Sequence, residues 1–240
     1  LQMLHWVTKR VNILQSQNYL INFEESHGND LVGGYTERSI PKNIIEKIRA
    51  FVKEHGITFF VFYLSNLKMC LYLLYKQELF AVGINISKRN NSRWSNMIGP
   101  LSEQFLSIVD FKKIINFEDL IKHTISNINN ILDTFVTIEN IYRQIIFGPG
   151  KANDLFNVLF DYEKTNQFYQ NDNFNIIPLS IKSTSEVRRH LSVRIADNNE
   201  EVILKVRYRE SIFTAMEIDT FINNFIETAE KLIGMSELAI

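Results

Sequence analysis

The chain has 240 residues, of which 45% are hydrophobic and 22% are charged, and its formal net charge is −1. This composition is typical of a globular domain with a packed core and excludes the low hydrophobicity and high charge of a disordered chain. A net charge so close to zero produces no overall field that would attract nucleic acid or an anionic membrane, so we expect neither as a partner.

The amino-terminal part of the chain is predicted to be a connecting helix, which is followed by helices and strands. Pro41 suits the first helical position and Gly56 follows the last, so together they delimit one strongly amphipathic helix. The Thr58 hydroxyl is placed to cap the helix after it. In chain order, the patterns predict a connecting helix within 1–25, a strand at 35–40, helices at 41–56 and 57–75, and a strand at 79–87.

The segment 57–75, ITFFVFYLSNLKMCLYLLY, is close to the length needed to cross a bilayer. Asn66 and Lys68 lie in its middle, however, and a central lysine is unfavourable in lipid. The segment is therefore predicted to be a buried helix at the centre of a globular fold. Its Cys70 is the single cysteine of the chain and cannot form an internal disulfide. Together with an amino-terminus that lacks a secretion-signal pattern, this favours a cytoplasmic location.

The remaining elements continue the mixture of helices and strands. Asp197, Asn198 and Asn199 separate the last two strands and tolerate turn conformations, so these strands are predicted to form a hairpin with one buried and one wet face. Mixed elements of this kind predict a layered α/β domain. In chain order, we expect a strand at 105–111, helices at 117–135 and 138–146, strands at 155–162, 174–181, 191–196 and 201–208, and a closing helix at 214–233.

Motifs that carry chemistry are scarce in this sequence. The histidines are isolated from one another, without the i, i+4 spacing that lets two imidazoles share a metal, so we expect no metal site and no catalytic residue here. Gly148-Pro149-Gly150-Lys151 is better read as a helix stop than as a phosphate loop, because Ala152 replaces the usual Ser or Thr. A basic concentration could meet an acidic partner or simply be solvated; it comprises Arg188, Arg189, Lys205, Arg207 and Arg209.

Four segments, in the right order, resemble motifs of nonribosomal peptide synthetase condensation domains. The first, VGINISKRNNSRWSNMIG at 82–99, is similar to a stretch that reads VG, then NRxRPELEGL, then IGxFVNT. Ile98 and Gly99 match that pattern, and Arg89 falls near the arginine of the family. Glu103 is one of the residues that replace the family's Phe-Val-Asn-Thr in the floor loop that the resemblance implies at 98–104. Its carboxylate either faces water or, if it faces the tunnel, needs a basic or amide partner, for which Arg89 and Arg93 are the nearest candidates in sequence.

The other three segments lie downstream. DTFVTIENIY at 133–142 occupies the place of HQDxPFExLV and retains Val136 and Glu139, but it loses the His, Gln, Asp and Pro. The closing stretch 206–233 is similar to the family's last strand and helix. NDLFNVLF resembles the end of RDxSRNPLFQVxF, with matches at Asn153, Leu155, Phe156, Val158 and Phe160.

The resemblance implies the carboxy-terminal half of such a domain, a chloramphenicol-acetyltransferase-like α/β lobe with a mixed β-sheet packed with helices. Residues 1–30 would then be a connecting helix or linker from a preceding lobe, and 31–240 the lobe itself. The family's catalytic HHxxxDG motif belongs to the amino-terminal lobe and is missing here. Ile98, Gly99, Glu103 and Arg89 would contribute to the tunnel floor; Glu139, Asn153, Leu155 and Phe156 would be structural residues of the motifs.

The same resemblance implies partners and a reaction. The partners would be an amino-terminal condensation lobe, peptidyl carrier protein domains and an adjacent adenylation domain. The reaction would join carrier-bound aminoacyl or peptidyl thioesters through an amide bond. We expect no directly bound cofactor, only the phosphopantetheine arms of the carriers. Three alternatives remain open: a non-catalytic recruitment domain, an epimerisation or heterocyclisation variant, and a lobe of a coenzyme A-dependent acyltransferase.

Overall fold

Helices and strands alternate along the chain much as the sequence predicts. The computed structural model describes residues 19–23, 31–87, 97–99, 101–134, 136–140, 155–164, 170–171, 174–175 and 187–234. The helices in these ranges are α1 (Lys42–Glu54), α2 (Phe59–Tyr75), α3 (Phe117–Thr134) and α4 (Ala215–Gly234). The strands are β1 (Gly33–Ser39), β2 (Leu79–Ser87), β3 (Ser102–Asp110), β4 (Val158–Lys164), β5 (Gln170–Asn171), β6 (Phe174–Asn175), β7 (Leu191–Asp197) and β8 (Val202–Arg209).

Six of these strands form one mixed sheet in the order β1-β8-β7-β4-β2-β3. The pairs β1–β8, β7–β8 and β2–β3 are antiparallel, whereas β2 and β4 are parallel and meet at Val82↔Val158. Strands β5 and β6 form a separate two-stranded sheet. The prediction of a mixed α/β fold with a β7–β8 hairpin is therefore confirmed.

One predicted element differs from the structure where it is described, and two others are described only in part. Residues 19–23 are not helical, and the rest of the predicted connecting helix lies outside the described residues. Of the predicted helix at 138–146, residues 138–140 form a helical turn and the remainder also lies outside, as does most of the predicted strand at 174–181. The proposed division at residues 30 and 31 stays a prediction.

The described residues fall into two compact units. Unit 1 comprises the described parts of Leu1–Asn22 and Leu64–Phe160, and unit 2 comprises those of Phe23–Tyr63 and Asp161–Gly234. Helix α2 and strand β4 each contribute residues to both units.

Helix α2 is buried over the unbroken run Val61–Leu71, which confirms the prediction of a buried central helix. Thr58 Oγ1 accepts a hydrogen bond from the Val61 backbone N–H at 3.2 Å, as predicted for its N-cap. In the described ranges no single helix is both long and apolar enough to cross a bilayer, although α1 and α2, bent by 113°, pass that test as a pair.

Unit 1 has a polar residue at the centre of its apolar interior. The buried face of β2 and β3 carries Phe80, Val82 and Phe105, and α3 packs against β3. Lys68 of α2 is also completely buried, and its Nζ donates a hydrogen bond to Thr124 Oγ1 of α3 at 3.3 Å.

Unit 2 is built on the β7–β8 hairpin, whose residues alternate between buried and wet faces. The turn conformation is favoured by Asn199, which has a φ of +71°, and by Asp197 Oδ1, which accepts from the Asn199 N–H at 2.8 Å. Helices α1 and α4 pack together in this unit, with Lys47 and Glu230 paired at 2.8 Å.

Candidate tunnel-floor site

The predicted floor segment lies at one end of the antiparallel β2–β3 pair. Strand β3 begins at Ser102 and not at Phe105, because Ser102 pairs with Ser87 and Glu103 with Ile86. The loop predicted at 98–104 is therefore shorter than expected. Long-range pairing with β2 decides this boundary, and local sequence carries little signal for it.

Ile98 and Gly99 lie outside the ladder. The Ile98 side chain is fully exposed, at 102% of its reference area. Gly99 has a φ of +144°, which favours glycine, and a Cβ at this position would meet no atom of the described residues within 4 Å. Glycine is thus required here by backbone conformation and not by lack of space.

Glu103 belongs to β3 and is partly buried. Its predicted basic partners, Arg89 and Arg93, lie outside the described residues. The proposed pairing of Glu103 with one of these arginines therefore stays a prediction.

The structure brings residues from separate motif segments into direct contact. The Phe156 ring packs directly against Gly83 of β2, so a Cβ built on Gly83 would overlap the ring. Strands β2 and β4 pair in parallel at the same place, with Gly83 opposite Leu159 and Ile84 opposite Phe160. We call the buried residues around this contact the motif cluster; it comprises Tyr19, Ala81, Leu106, Val136, Ile138 and Phe156.

The remaining motif residues surround this cluster or lie outside the described ranges. Leu155 is partly buried against the cluster. Glu139 is exposed on a helical turn, where Thr137 Oγ1 accepts from the Asn140 N–H at 3.1 Å. Asn153 lies outside the described residues. The roles assigned to these residues by resemblance stay predictions.

Asn157 binds an early segment of the chain to a later segment of unit 1. Its Oδ1 accepts from the Ile21 N–H at 3.1 Å, and its Nδ2 donates to the Ile21 carbonyl at 2.7 Å. Gln77 Nε2 donates to the Leu20 carbonyl at 2.7 Å, and the Ala81 N–H donates to the Tyr19 carbonyl at 2.9 Å. Sequence reasoning missed Asn157, since a single asparagine in an apolar stretch gives no signal of a partner 136 residues away.

The buried amine in unit 1 is electrostatically perturbed. Burial lowers the pKa of Lys68 to about 7. Burial also lowers the pKa of the nearby His123, and the positive charges of Lys68 and Lys113 act in the same direction.

The basic residues noted in the sequence lie on β8 and just before β7. Lys205 is opposite Glu37 on β1, and the Arg207 guanidinium lies 5.9 Å from the centre of the Tyr35 ring. Arg209 Nη2 donates to the Arg188 carbonyl at 3.1 Å. Part of this positive charge is thus engaged within unit 2.

The described residues contain no group of three or more His, Cys, Asp or Glu side chains that could hold a metal. Two of the described histidines make ring contacts. His55 stacks on Phe51 with ring centres 4.0 Å apart, and the centre of the His190 ring lies 5.9 Å from that of Phe23.

Comparison with known proteins identifies one family. The family model described as Condensation domain matches residues 3–239. Cyclosporin synthetase simA of Tolypocladium inflatum is 22% identical over 198 residues, which cover 81% of this chain and 1% of the synthetase.

Solved structures share the fold. The condensation domain from the Monacolin K polyketide synthase MokA matches with a TM-score of 0.80 and 14% identity, over 98% of this chain and 59% of that one. The X-domain, solved in complex with OxyB from teicoplanin biosynthesis, matches with a TM-score of 0.80 and 11% identity, over 99% and 54% of the respective chains. The chain thus spans a little over half of each solved chain and a very small part of the curated relative.

Proposed function

Because this chain belongs to the condensation-domain family, we propose that it is the carboxy-terminal lobe of a nonribosomal peptide synthetase condensation domain. It would supply the floor of the reaction tunnel and part of the carrier-protein docking surface. The reaction would be amide-bond formation between carrier-bound aminoacyl or peptidyl thioesters. The chain has the chloramphenicol-acetyltransferase-like fold of that family, a mixed sheet packed with helices.

The observation that carries this proposal is the family match over residues 3–239, combined with coverage of 59% of a condensation-domain chain. A complete domain would need a further lobe of similar size. The packing of Phe156 on Gly83 supports the same reading, since two segments singled out by their resemblance to the family meet in unit 1.

The floor assignment is supported by the exposure of Ile98 and the glycine-dependent backbone at Gly99. An isoleucine held fully in water at the end of a β-pair is suited to contact a second lobe, where its apolar area would be covered. In this proposal Ile98 and Gly99 shape the passage, and Glu103 and Arg89 line it.

The chain's own role in the chemistry would be to position the reactants. General-base catalysis needs an imidazole or similar group near the attacked carbonyl, and the HHxxxDG motif that meets this need in the family is not in this sequence. Two thioesters on phosphopantetheine arms that enter one tunnel would react at a high effective concentration. We place these partners, together with an adjacent adenylation domain, in the cytoplasm.

Reconstitution in trans tests the proposal. The 240-residue chain is mixed with a separately produced amino-terminal lobe that carries HHxxxDG and with loaded donor and acceptor carriers. We expect amide product only when both lobes are present, and a loss of at least tenfold when Gly99 is replaced by Val. Gly234→Ala is the matched control, because a Cβ there meets no atom within 4 Å in the described part of the chain.

Two outcomes would contradict the proposal. One is turnover by the isolated chain that is lost when one of its histidines is replaced. The other is the absence of any association between the chain and amino-terminal lobes of this family, measured by analytical ultracentrifugation.

A second candidate function is non-catalytic recruitment of another enzyme. It is favoured by the loss of His, Gln, Asp and Pro from the segment 133–142, and the X-domain solved in complex with OxyB shares the fold. Binding of a tailoring enzyme by the reconstituted domain, without amide product, would favour recruitment. Epimerised or heterocyclic product would indicate those variants, and turnover with free coenzyme A thioesters would indicate the acyltransferase.

A further inference from the structure

Lys68 is a fully buried amine that the proposed function does not use. It lies in the middle of α2, its side chain is 0% exposed, and Thr124 Oγ1 of α3 accepts its hydrogen bond at 3.3 Å. None of the described carboxylates forms an ion pair with it. A charged ammonium in such a place is strongly disfavoured unless an anion neutralises it.

Other polar groups buried in unit 1 carry no negative charge. Ser65, one helical turn earlier on α2, and Ser107 of β3 have buried hydroxyls without a hydrogen-bond partner among the described residues. His123 is the ionisable group next to Thr124 on α3, and its pKa is lowered by burial and by the Lys68 charge.

The carboxylate that acts on His123 is already paired. Asp110, at the end of β3, raises the pKa of His123 slightly against the other effects, but its Oδ2 is 3.0 Å from Lys113 Nζ. Lys113 itself acts on His123 as a positive charge. Burial therefore disfavours a proton on Lys68, and no ion pair with a described carboxylate offsets it.

We propose that protonation of Lys68 weakens the contact between α2 and α3 in unit 1. The two helices pack together when the amine is neutral, and their contact loosens when the amine binds a proton. Because the folded-state pKa of Lys68 is near 7, the strength of this helix contact changes across neutral pH. Thr124 fixes the neutral amine between the helices, so loosening is expected first in α3.

The pH dependence of stability has a defined direction. A lysine in the unfolded chain titrates near 10.5, whereas in the folded chain it titrates near 7. Between these values the unfolded state binds more protons, so stability rises with pH and is lost as the pH falls towards 7. Below pH 7 both states are protonated, and this group adds no further change.

Chemical denaturation of the 240-residue chain and of Lys68→Met tests the proposal. Met keeps an unbranched side chain without the amine. We expect the ratio of the unfolding constant of the wild-type chain to that of the variant to fall about tenfold per pH unit between pH 7.5 and 10. Lys122→Met is the control, because Lys122 is an exposed lysine on α3 that pairs with Glu118 at 2.8 Å, and its ratio should stay level. An equal slope for Lys68→Met and the wild-type chain would overturn the proposal.

Two further measurements keep the proposal testable if Lys68→Met does not fold. In the wild-type chain labelled at the lysine ε-carbon, NMR should show one lysine with a titration midpoint near pH 7, and Thr124→Val should move that signal. The protection factors of the α3 amides, which correct for the pH dependence of intrinsic hydrogen exchange, should fall in the wild-type chain as the pH falls from 8 to 6. Lysine midpoints that all lie near pH 10 would overturn the proposal.

Discussion

Gly83 shows how a missing side chain can be a packing requirement. The Phe156 ring lies where a Cβ of Gly83 would be, and both residues belong to unit 1. Gly83 also takes part in the parallel pairing of β2 with β4, where it lies opposite Leu159. The glycine is therefore needed for the approach of an aromatic ring and not for an unusual φ.

Replacement of Gly83 by Ala is expected to destabilise the chain by about 1–3 kcal/mol, because the ring must move within a packed core. Urea denaturation measures this loss. Gly234→Ala, which meets open space, should change stability by less than about 0.5 kcal/mol. The double change Gly83→Ala with Phe156→Leu should recover part of the loss, and strict additivity of the two single effects would contradict the contact.

At the level of elements, helix α4 begins with a reciprocal cap. Glu217 Oε2 accepts from the Thr214 N–H at 2.7 Å and from Thr214 Oγ1 at 2.8 Å, while the Glu217 N–H donates to Thr214 Oγ1 at 3.2 Å. These bonds lower the pKa of Glu217, and the backbone bond from Thr214 is the largest cause. The arrangement is a capping box that follows the strand β8.

Because the folded-state pKa of Glu217 is lowered, its stabilising effect is present above about pH 4.3 and is lost as the pH falls through the folded value. Glu217→Gln should therefore reduce the free energy of unfolding by about 0.5 kcal/mol at pH 7 and by less at pH 3. Thermal unfolding at both pH values measures the difference. Glu46→Gln, at an exposed position of α1 without an ion pair among the described residues, should cause no comparable loss, and a loss for Glu217→Gln at pH 3 equal to that at pH 7 would count against the cap.

The elements differ in how far local sequence determines them. The bounds of β2 are as predicted, and α3, β7 and β8 are close to prediction, because periodicity and turn residues define them locally. The start of β3 and the non-helical conformation of residues 19–23 were not predicted, since both are fixed by distant partners. The same limit applies to the candidate site, where the motif segments were identified but their contact through Gly83 and Phe156 was not.

For the molecule as a whole, the bonds of Asn157 join residues far apart in sequence. Asn157→Ala removes both of its bonds to Ile21, each worth about 1 kcal/mol, and should release residues 19–22. Chymotrypsin should then cleave after Tyr19 several-fold faster. Asn22→Ala is the matched control, because Asn22 is bound through its backbone N–H to Gln77 Oε1 and its exposed side chain can be removed. Equal cleavage rates for the two variants would contradict the role of Asn157.

The interleaving of the two units has a consequence for biosynthesis. Most of unit 1 comes from the continuous stretch Leu64–Phe160, whereas unit 2 needs both Phe23–Tyr63 and Asp161–Gly234. A growing polypeptide emerges from the ribosome amino-terminus first, so unit 1 can close while the earlier part of unit 2 still waits for β7, β8 and α4. Strand β1 then pairs with β8 only after about 170 residues have been added between them. During that interval β1 is an unpaired strand, and translation speed after residue 160 becomes a determinant of how often this chain reaches its folded state.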